Sequence, residues 1–298
     1  MEGEPKKEMH DLLPKHLCPA YFNVKAGEPF SNVIKKLKEN KIGYPLIVKP
    51  EIGGQGILFR KINNEAALEN YHHLVPVEYF IQEFINYPVE VSLFYYRFPG
   101  ESKGVITGFL KKIPMQLTGD GVHTIEELVM MNPKISNRIK EIRNKHGANF
   151  KKVLGKNEKY MLSYAANHNR GARFIDLKDE IDNTLVSLLD QISLSINDFF
   201  YGRYDIMCNS IEELKQGKNF IILEYNGCGA EPNHFYDTGY TLINAWREIL
   251  KHWKVLFTIS KINNKAGIEY WPALKGLRFV RATKKYYRMI KEADERIP

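Results

Sequence analysis

Short apolar runs bounded by glycine and proline dominate the first hundred residues. Residues 5–16 read as a short helix broken at Pro14. GYPLIVKP (43–50) holds an apolar run between breakers, the pattern of a buried strand. EIGGQG (51–56) follows as a loop and ILFRKI (57–62) as a returning strand. NNEAALENYHHL (63–74) opens on capping asparagines and predicts a helix. EYFIQEFI and VEVSLFYYRF are two strands separated by NYP, and KGVITGFLKKIPMQL is a third. Their turn signals and near-alternation predict antiparallel pairing.

The period then changes. In GDGVHTIEELVMM, Thr124 precedes Glu127 by the spacing of a capping box, and a second helix follows Pro133. EIDNTLVSLLDQISLSINDFF places Ile181, Leu185, Leu188, Leu189, Ile192 and Ile196 on one helical stripe. YGRYDIMCNS and KNFIILEYN are strands joined by a polar turn, and GYTLINAWREILKHWKVLFTI is a long amphipathic helix. From about Lys275 the tail is basic and aromatic, and is expected to be a helix that packs its aromatic residues on the body. Sheet and helix alternate without regular βαβ units. The expected class is therefore α+β, in two lobes that meet near residues 86–90.

Composition narrows the setting. With 298 residues, the chain is long enough for a substantial core. It lacks the apolar run a transmembrane helix needs, and its first residues lack the apolar stretch of a signal peptide. Cys18, Cys208 and Cys228 are scattered, which suits a reduced, cytoplasmic protein without a disulfide framework. A net charge of +8 suits an anionic partner, and by itself leaves open a nucleic acid, a nucleotide or an acidic membrane.

Candidate chemistry concentrates where a buried strand ends in FIILEYNG. Glu224 and Asn226 stand two apart and so share a strand face; in the preceding strand, GRYD places Arg203 and Asp205 the same way. If the strands pair, two carboxylates, an amide and a guanidinium meet. Carboxylates crowded together need neutralising, and a hard cation such as Mg²⁺ prefers such oxygen ligands. A salt-bridged strand end would show the same spacing. Lys49 closes an apolar strand ahead of GGQG, where backbone N–H groups can cover phosphates, though neither a Walker nor a Rossmann signature is present. Glu83 and Glu90 flank a hinge in QEFINYPVE, where free backbone groups can read an adenine edge and a carboxylate a ribose. NHNRGARF adds Asn167, His168, Arg170 and Arg173 as candidate anion contacts.

Taken singly these signals are bland, but their order resembles that of the ATP-grasp superfamily from about Lys6 to about Ala245. YPLIVKPEIGGQG looks like its phosphate strand and loop, IQEFINYPVE like its adenine hinge, and GRYDI with ILEYNG like its catalytic arginine and metal ligands. The tract KKIPMQLTGDGVHTIEEL is similar to a region of cyanophycin synthetases and fused bacterial glutathione synthetases, and D-alanine–D-alanine ligases share the R-x-D…E-x-N ending. The resemblance implies a fold with nucleotide held between two antiparallel sheets. A small lobe is expected over 1–86, a large lobe over 87–260 and a basic helical extension over 261–298. The domain that precedes this region in the relatives is expected to be missing.

The resemblance further implies an ATP-dependent carboxylate–amine ligase working through an acyl phosphate, with Mg²⁺ (or Mn²⁺). Its substrates would be a small carboxylate and an amine, and a homodimer is compatible with it. Lys49, Gly53, Gly54, Gln55 and Gly56 would hold the phosphates, with Lys7 (or Lys6) as an earlier ATP-facing lysine. Glu83, Phe84 and Ile85 would face adenine and Glu90 the ribose. Asp205, Glu224 and Asn226 would hold metal. Arg203 and Lys112, the latter preferred to Lys111, would be catalytic, and Asn167, His168 and Arg170 would face substrate. Two other classes compete: an ATP-binding module without turnover, and a basic nucleic-acid-binding protein, the latter disfavoured by the lack of a recognition motif.

Overall fold

A computed structural model describes residues 5–196, 199–236 and 238–297. The chain opens with helix α1 (Lys6–Leu12), then strand β1 (Tyr21–Val24), α2 (Phe30–Glu39), β2 (Leu46–Pro50), β3 (Arg60–Ile62), α3 (Glu65–Leu74) and β4 (Tyr79–Glu83). The four strands form one antiparallel sheet in the order β1-β4-β2-β3. Every residue of β2 is buried, as its unbroken apolar run requires. Asn64 caps α3, its side chain accepting from the Ala67 amide at 2.9 Å.

The second half holds β5 (Val89–Tyr96), β6 (Val105–Ile113), β7 (Gln116–Thr118), α4 (Ile125–Met131), α5 (Ile139–His146), β8 (Lys159–Met161), β9 (Arg173–Asp176), α6 (Asn183–Ser195), β10 (Tyr201–Cys208), α7 (Ile211–Lys215), β11 (Phe220–Asn226), α8 (Leu242–Lys265) and α9 (Ala273–Arg296). Five of its strands make a second antiparallel sheet, β11-β10-β5-β6-β9. Alternation splits its faces. Val91, Leu93 and Tyr95 pack with Leu185, Leu189 and Ile192 of α6, while Phe94 and Tyr201 pack under Val255 and Ile259 of α8. The capping box at Thr124 and Glu127 forms as expected. No described helix is long and apolar enough to cross a membrane.

Four details depart from the sequence reading. The strand expected over 57–62 is shortened to β3, because residues 57–58 turn and Leu58 takes a positive φ of 57°. The polar turn expected between β10 and β11 contains α7, capped by Ser210. Residues 115–162 build a small core of their own, with Leu117, Ile125, Val129, Phe150 and Leu154 around the antiparallel pair β7–β8. Too few apolar residues in any one stretch announce it.

The fourth departure concerns the chain ends. Leu13 and Met9 join the core of the large sheet, so α1 packs with the second lobe. The end of α9 does the reverse: Ile290, Ala293 and Ile297 lie in the small-lobe core with Leu46, Val48 and Ile81. Burying each isoleucine there contributes roughly 1.5–3 kcal/mol. Each lobe is thus closed by a helix from outside its own segment, which short-range pattern cannot reveal.

Candidate functional site

Between the sheets lies a cleft of about 620 Å³. Its floor is the ends of β10 and β11. The register sets Arg203 opposite Asn226 and Asp205 opposite Glu224, so all four side chains emerge on one face. The adjoining strands complete it, with Asp205 opposite Ser92, and Glu90 opposite Lys112.

Charge is neutralised pair by pair. Lys112 is buried and reaches Asp205 at 2.8 Å and Glu90 at 3.3 Å. Arg203 grips Asp205 with Nε and Nη2 at 3.3 and 3.2 Å, and Asn226 Nδ2 donates to the same carboxylate at 3.3 Å. Burial alone would raise the Asp205 pKa, but Arg203 and Lys112 outweigh it and hold the carboxyl at about 2. Burial pushes Glu90 up, Lys112 pulls it back and Asp205 pushes it up further, leaving it above the usual carboxylate range. Lys49 is buried at the end of β2, opposite Phe80 in register. Burial depresses its pKa to about 8; Glu224 works against the shift and Lys6 with it.

The roof is the loop after β2. Gly53, Gly54, Gln55 and Gly56 all line the cleft. Gly56 has φ +70°, and a Cβ there would lie 2.8 Å from Cβ of Ala165, so only glycine fits without movement. The loop is tied from outside: Arg170 Nε donates to Gln55 O at 2.8 Å, and Tyr286 Oη of α9 donates to Ile52 O at 2.9 Å. Asp294 of α9 gathers the Leu58 amide at 2.9 Å, Arg60 at 2.8 Å and Arg170 at 2.9 Å.

Most sequence-derived candidates meet here. Lys49, the glycine loop, Glu83, Phe84, Ile85, Glu90, Lys112, Asn167, His168, Arg203, Asp205, Glu224 and Asn226 all line the one cleft. Glu83 is exposed and its carboxylate accepts from the Ala20 amide at 3.3 Å, while Phe84 lies under Lys61 Nζ, 4.1 Å from the ring centre. His168 stacks on Tyr236 with centroids 4.8 Å apart.

Three candidates fall elsewhere. Lys7 is exposed and pairs with Asp11, while its neighbour Lys6 is buried, donates to Gly53 O at 3.0 Å and lies 3.8 Å from Glu224. Helical spacing explains the choice: Lys6 and His10, four apart, share the buried face of α1, and Lys7 and Asp11 share the other. Arg170 is outside the cleft lining, and pairs with Glu141 and Asp294 to hold the glycine loop. Arg173, on β9, is exposed. Sequence reasoning missed His10, Gln82, Glu231, Asn233 and Tyr236, which also line the cleft. The i,i+4 pairing of Lys6 with His10 was a usable signal for one of them. Burial, with Lys49 and Lys6 adding to it, lowers the His10 pKa to about 3, so the imidazole is neutral.

The donor set fits a hard divalent ion. Asp205 stays ionised, Glu224 lies across from it, and Asn226 has an amide oxygen left over from its hydrogen bond to Asp205.

The floor, roof and hinge together make one cleft between two antiparallel sheets, in an α+β fold. Comparison with known proteins finds the following likenesses. Over 206 residues the chain is 26% identical to the cyanophycin synthetase of Synechocystis sp.; the match covers 62% of this chain and 23% of that protein. The chain thus corresponds to under a quarter of that relative. Among solved structures it is similar to the VanG D-Ala:D-Ser ligase of Enterococcus faecalis, at 13% identity and a TM-score of 0.47, covering 84% of this chain and 61% of the other. It is also similar to the D-alanine–D-alanine ligase of Bacillus anthracis, at 15% identity and a TM-score of 0.44, covering 88% and 67%. No protein-family model matches the chain.

Proposed function

We propose that the protein is an ATP-dependent carboxylate–amine ligase that forms an amide or peptide bond through an acyl phosphate. One observation carries the reading. Lys49, Lys112 and Arg203 stand with Asp205, Glu224 and Asn226 in a single cleft under a glycine loop. Phosphoryl transfer demands alignment and cancellation of negative charge more than covalent chemistry, and this residue set suits that demand. The sequence likeness to a cyanophycin synthetase supports it.

In this mechanism the adenine lies against the hinge at Phe84 and Ile85, and the glycine loop covers the phosphates. Lys49 holds the α- or β-phosphate. The carboxylate oxygen of the first substrate attacks the γ-phosphorus, and the bond to the β-bridging oxygen breaks to release ADP. Arg203 and Lys112 stabilise charge on the transferring group. The amine nitrogen of the second substrate then attacks the acyl carbon; phosphate departs and the nitrogen sheds a proton to solvent. Asp205, Glu224 and Asn226 would hold Mg²⁺, which would supply further neutralisation of phosphate charge. Asn167 and His168 face the substrate end.

The test is ADP release with Mg²⁺-ATP and panels of carboxylates and amines. With an ¹⁸O-labelled carboxylate, one label must appear in the released phosphate, because the acyl phosphate hands over that oxygen. Arg203→Met should lower kcat by about 10²–10³. Equal turnover by the wild type and Asn226→Ala, or product without label transfer, refutes the scheme. ATP-stabilised melting with no product from any substrate pair would instead favour a binding module.

A further inference from the structure

A second polar cluster lies along the same sheet face as the cleft, beyond it, where α8 covers Phe94 and Tyr201. His234, from the loop after β11, meets Glu248 and His252, which stand one turn apart on α8. The two imidazoles are only 3% and 1% exposed. Nε2 of each lies 3.3 Å from Oε1 of Glu248. Yet among the described residues neither Nε2 has a well-formed hydrogen bond, and each sits beside the carboxylate as an ion-pair neighbour. Groups this buried seldom go without a partner.

The spacing fits another occupant. A tetrahedral ion with bonds of about 2.0–2.1 Å sets its ligand atoms about 3.3–3.4 Å apart. Two edges of the triangle match, and all three ligand atoms lie within 4.8 Å of one another. The surroundings also fit. Nδ1 of His252 lies 3.0 Å from the Tyr201 hydroxyl, the outer partner that fixes a ligating imidazole. The His234 side chain lies against Gly108 of β6, where any Cβ would come within 2.3 Å of Nδ1. Lys251 Nζ, 3.4 Å from the same Glu248 oxygen, sits on a side chain more than half exposed and free to swing away.

We propose that His234, Glu248 and His252 form a binding site for a divalent transition ion of the zinc class, with the fourth position open to water. Two imidazoles and one carboxylate select such ions over Mg²⁺. The ion pins to α8 the loop that carries Glu231, Asn233 and Tyr236 into the cleft, so it is a structural clamp at the cleft's edge. It is independent of the ligase reading and stands or falls without turnover.

The test uses the tag-free full chain, stripped with chelator, reloaded with Zn²⁺ in excess Mg²⁺ and gel-filtered. Wild type should retain one equivalent of zinc and melt at a higher temperature than the stripped protein. Co²⁺ in its place should show the visible bands of a tetrahedral site. His252→Ala and His234→Ala should lose the zinc and the thermal shift; if either fails to fold, Glu248→Gln serves in its place. Tyr201→Phe should keep the fold and weaken zinc binding about 10- to 100-fold. Zinc retained unchanged by folded ligand variants, or none retained by wild type, overturns the proposal.

Discussion

Asp205→Asn tests the electrostatics of the cleft floor directly. The side chain is 8% exposed and holds two cations, the buried Lys112 at 2.8 Å and the partly buried Arg203 at 3.2 Å. Its pKa of about 2 lies below the unfolded value. A depressed carboxylate contributes stability that is present above the unfolded pKa of about 3.9 and lost as pH falls toward the folded one, with about 2.6 kcal/mol available at neutral pH. At pH 3 the same relation leaves about 1.3 kcal/mol. Asparagine keeps the shape but cannot offset the cations, so the deficit at pH 7 can reach about 3–5 kcal/mol, the range for breaking a buried pair. The assay is urea unfolding of both proteins without metal or nucleotide, at pH 7, 5 and 3. The gap between them should be constant from pH 7 to 5 and should narrow by about 1 kcal/mol at pH 3. Equal stability at pH 7, or a gap that stays constant down to pH 3, refutes the reasoning.

Lys49, with its pKa depressed to about 8, should lose its charge as pH rises through that value, so nucleotide affinity should fall above pH 8 in wild type and stay flat in Lys49→Arg; titration with a labelled nucleotide reads this. Gly56→Ala must both leave a positive φ and clear Ala165, and should destabilise by roughly 1–3 kcal/mol while weakening nucleotide binding, as seen by thermal melting with and without ATP. Asp294→Ala removes the anchor shared by Leu58, Arg60 and Arg170 and should cost about 3–5 kcal/mol, with early protease cleavage within residues 51–59.

Much of the cleft was legible because its parts are strand-borne. In a strand, a spacing of two fixes a shared face, so R-x-D and E-x-N announced a common surface before their pairing was known, and the observed register sets the two pairs opposite each other. The glycine loop was legible for a similar reason, being a breaker cluster at the end of a buried run. What stayed hidden depends on contacts distant in sequence. Nothing local in KEADERIP says that Asp294 anchors the glycine loop more than 200 residues earlier, or that Ile290 belongs to the small-lobe core. Lys6 and Lys7 are adjacent lysines, and only the packing of α1 tells which is buried. His234 and His252 carry no motif, because one lies on an irregular loop and the other on a helix.

The pairing in the cleft has a consequence for how ligands enter. Lys6, Lys49, Lys112 and Arg203 face Glu90, Asp205 and Glu224, and ion pairs tie Lys6, Lys112 and Arg203 to the carboxylates. On the ligase reading, metal and nucleotide therefore exchange partners with charges that already pair with one another. The phosphates take the lysines and Arg203, which frees the carboxylates for the ion. Either ligand alone strands charges of one sign in a buried site, a costly state. Together they satisfy both sets, so the two should bind with positive coupling, reciprocal by linkage and of at least about tenfold. Calorimetric titration of a non-hydrolysable ATP analogue, with and without Mg²⁺, measures it after correction for the ion that the analogue binds in solution. Asp205→Asn should shrink the coupling, since one freed carboxylate is gone. Additive binding in the wild type would mean that the pairs do not compete with the ligands, and the exchange argument would fail.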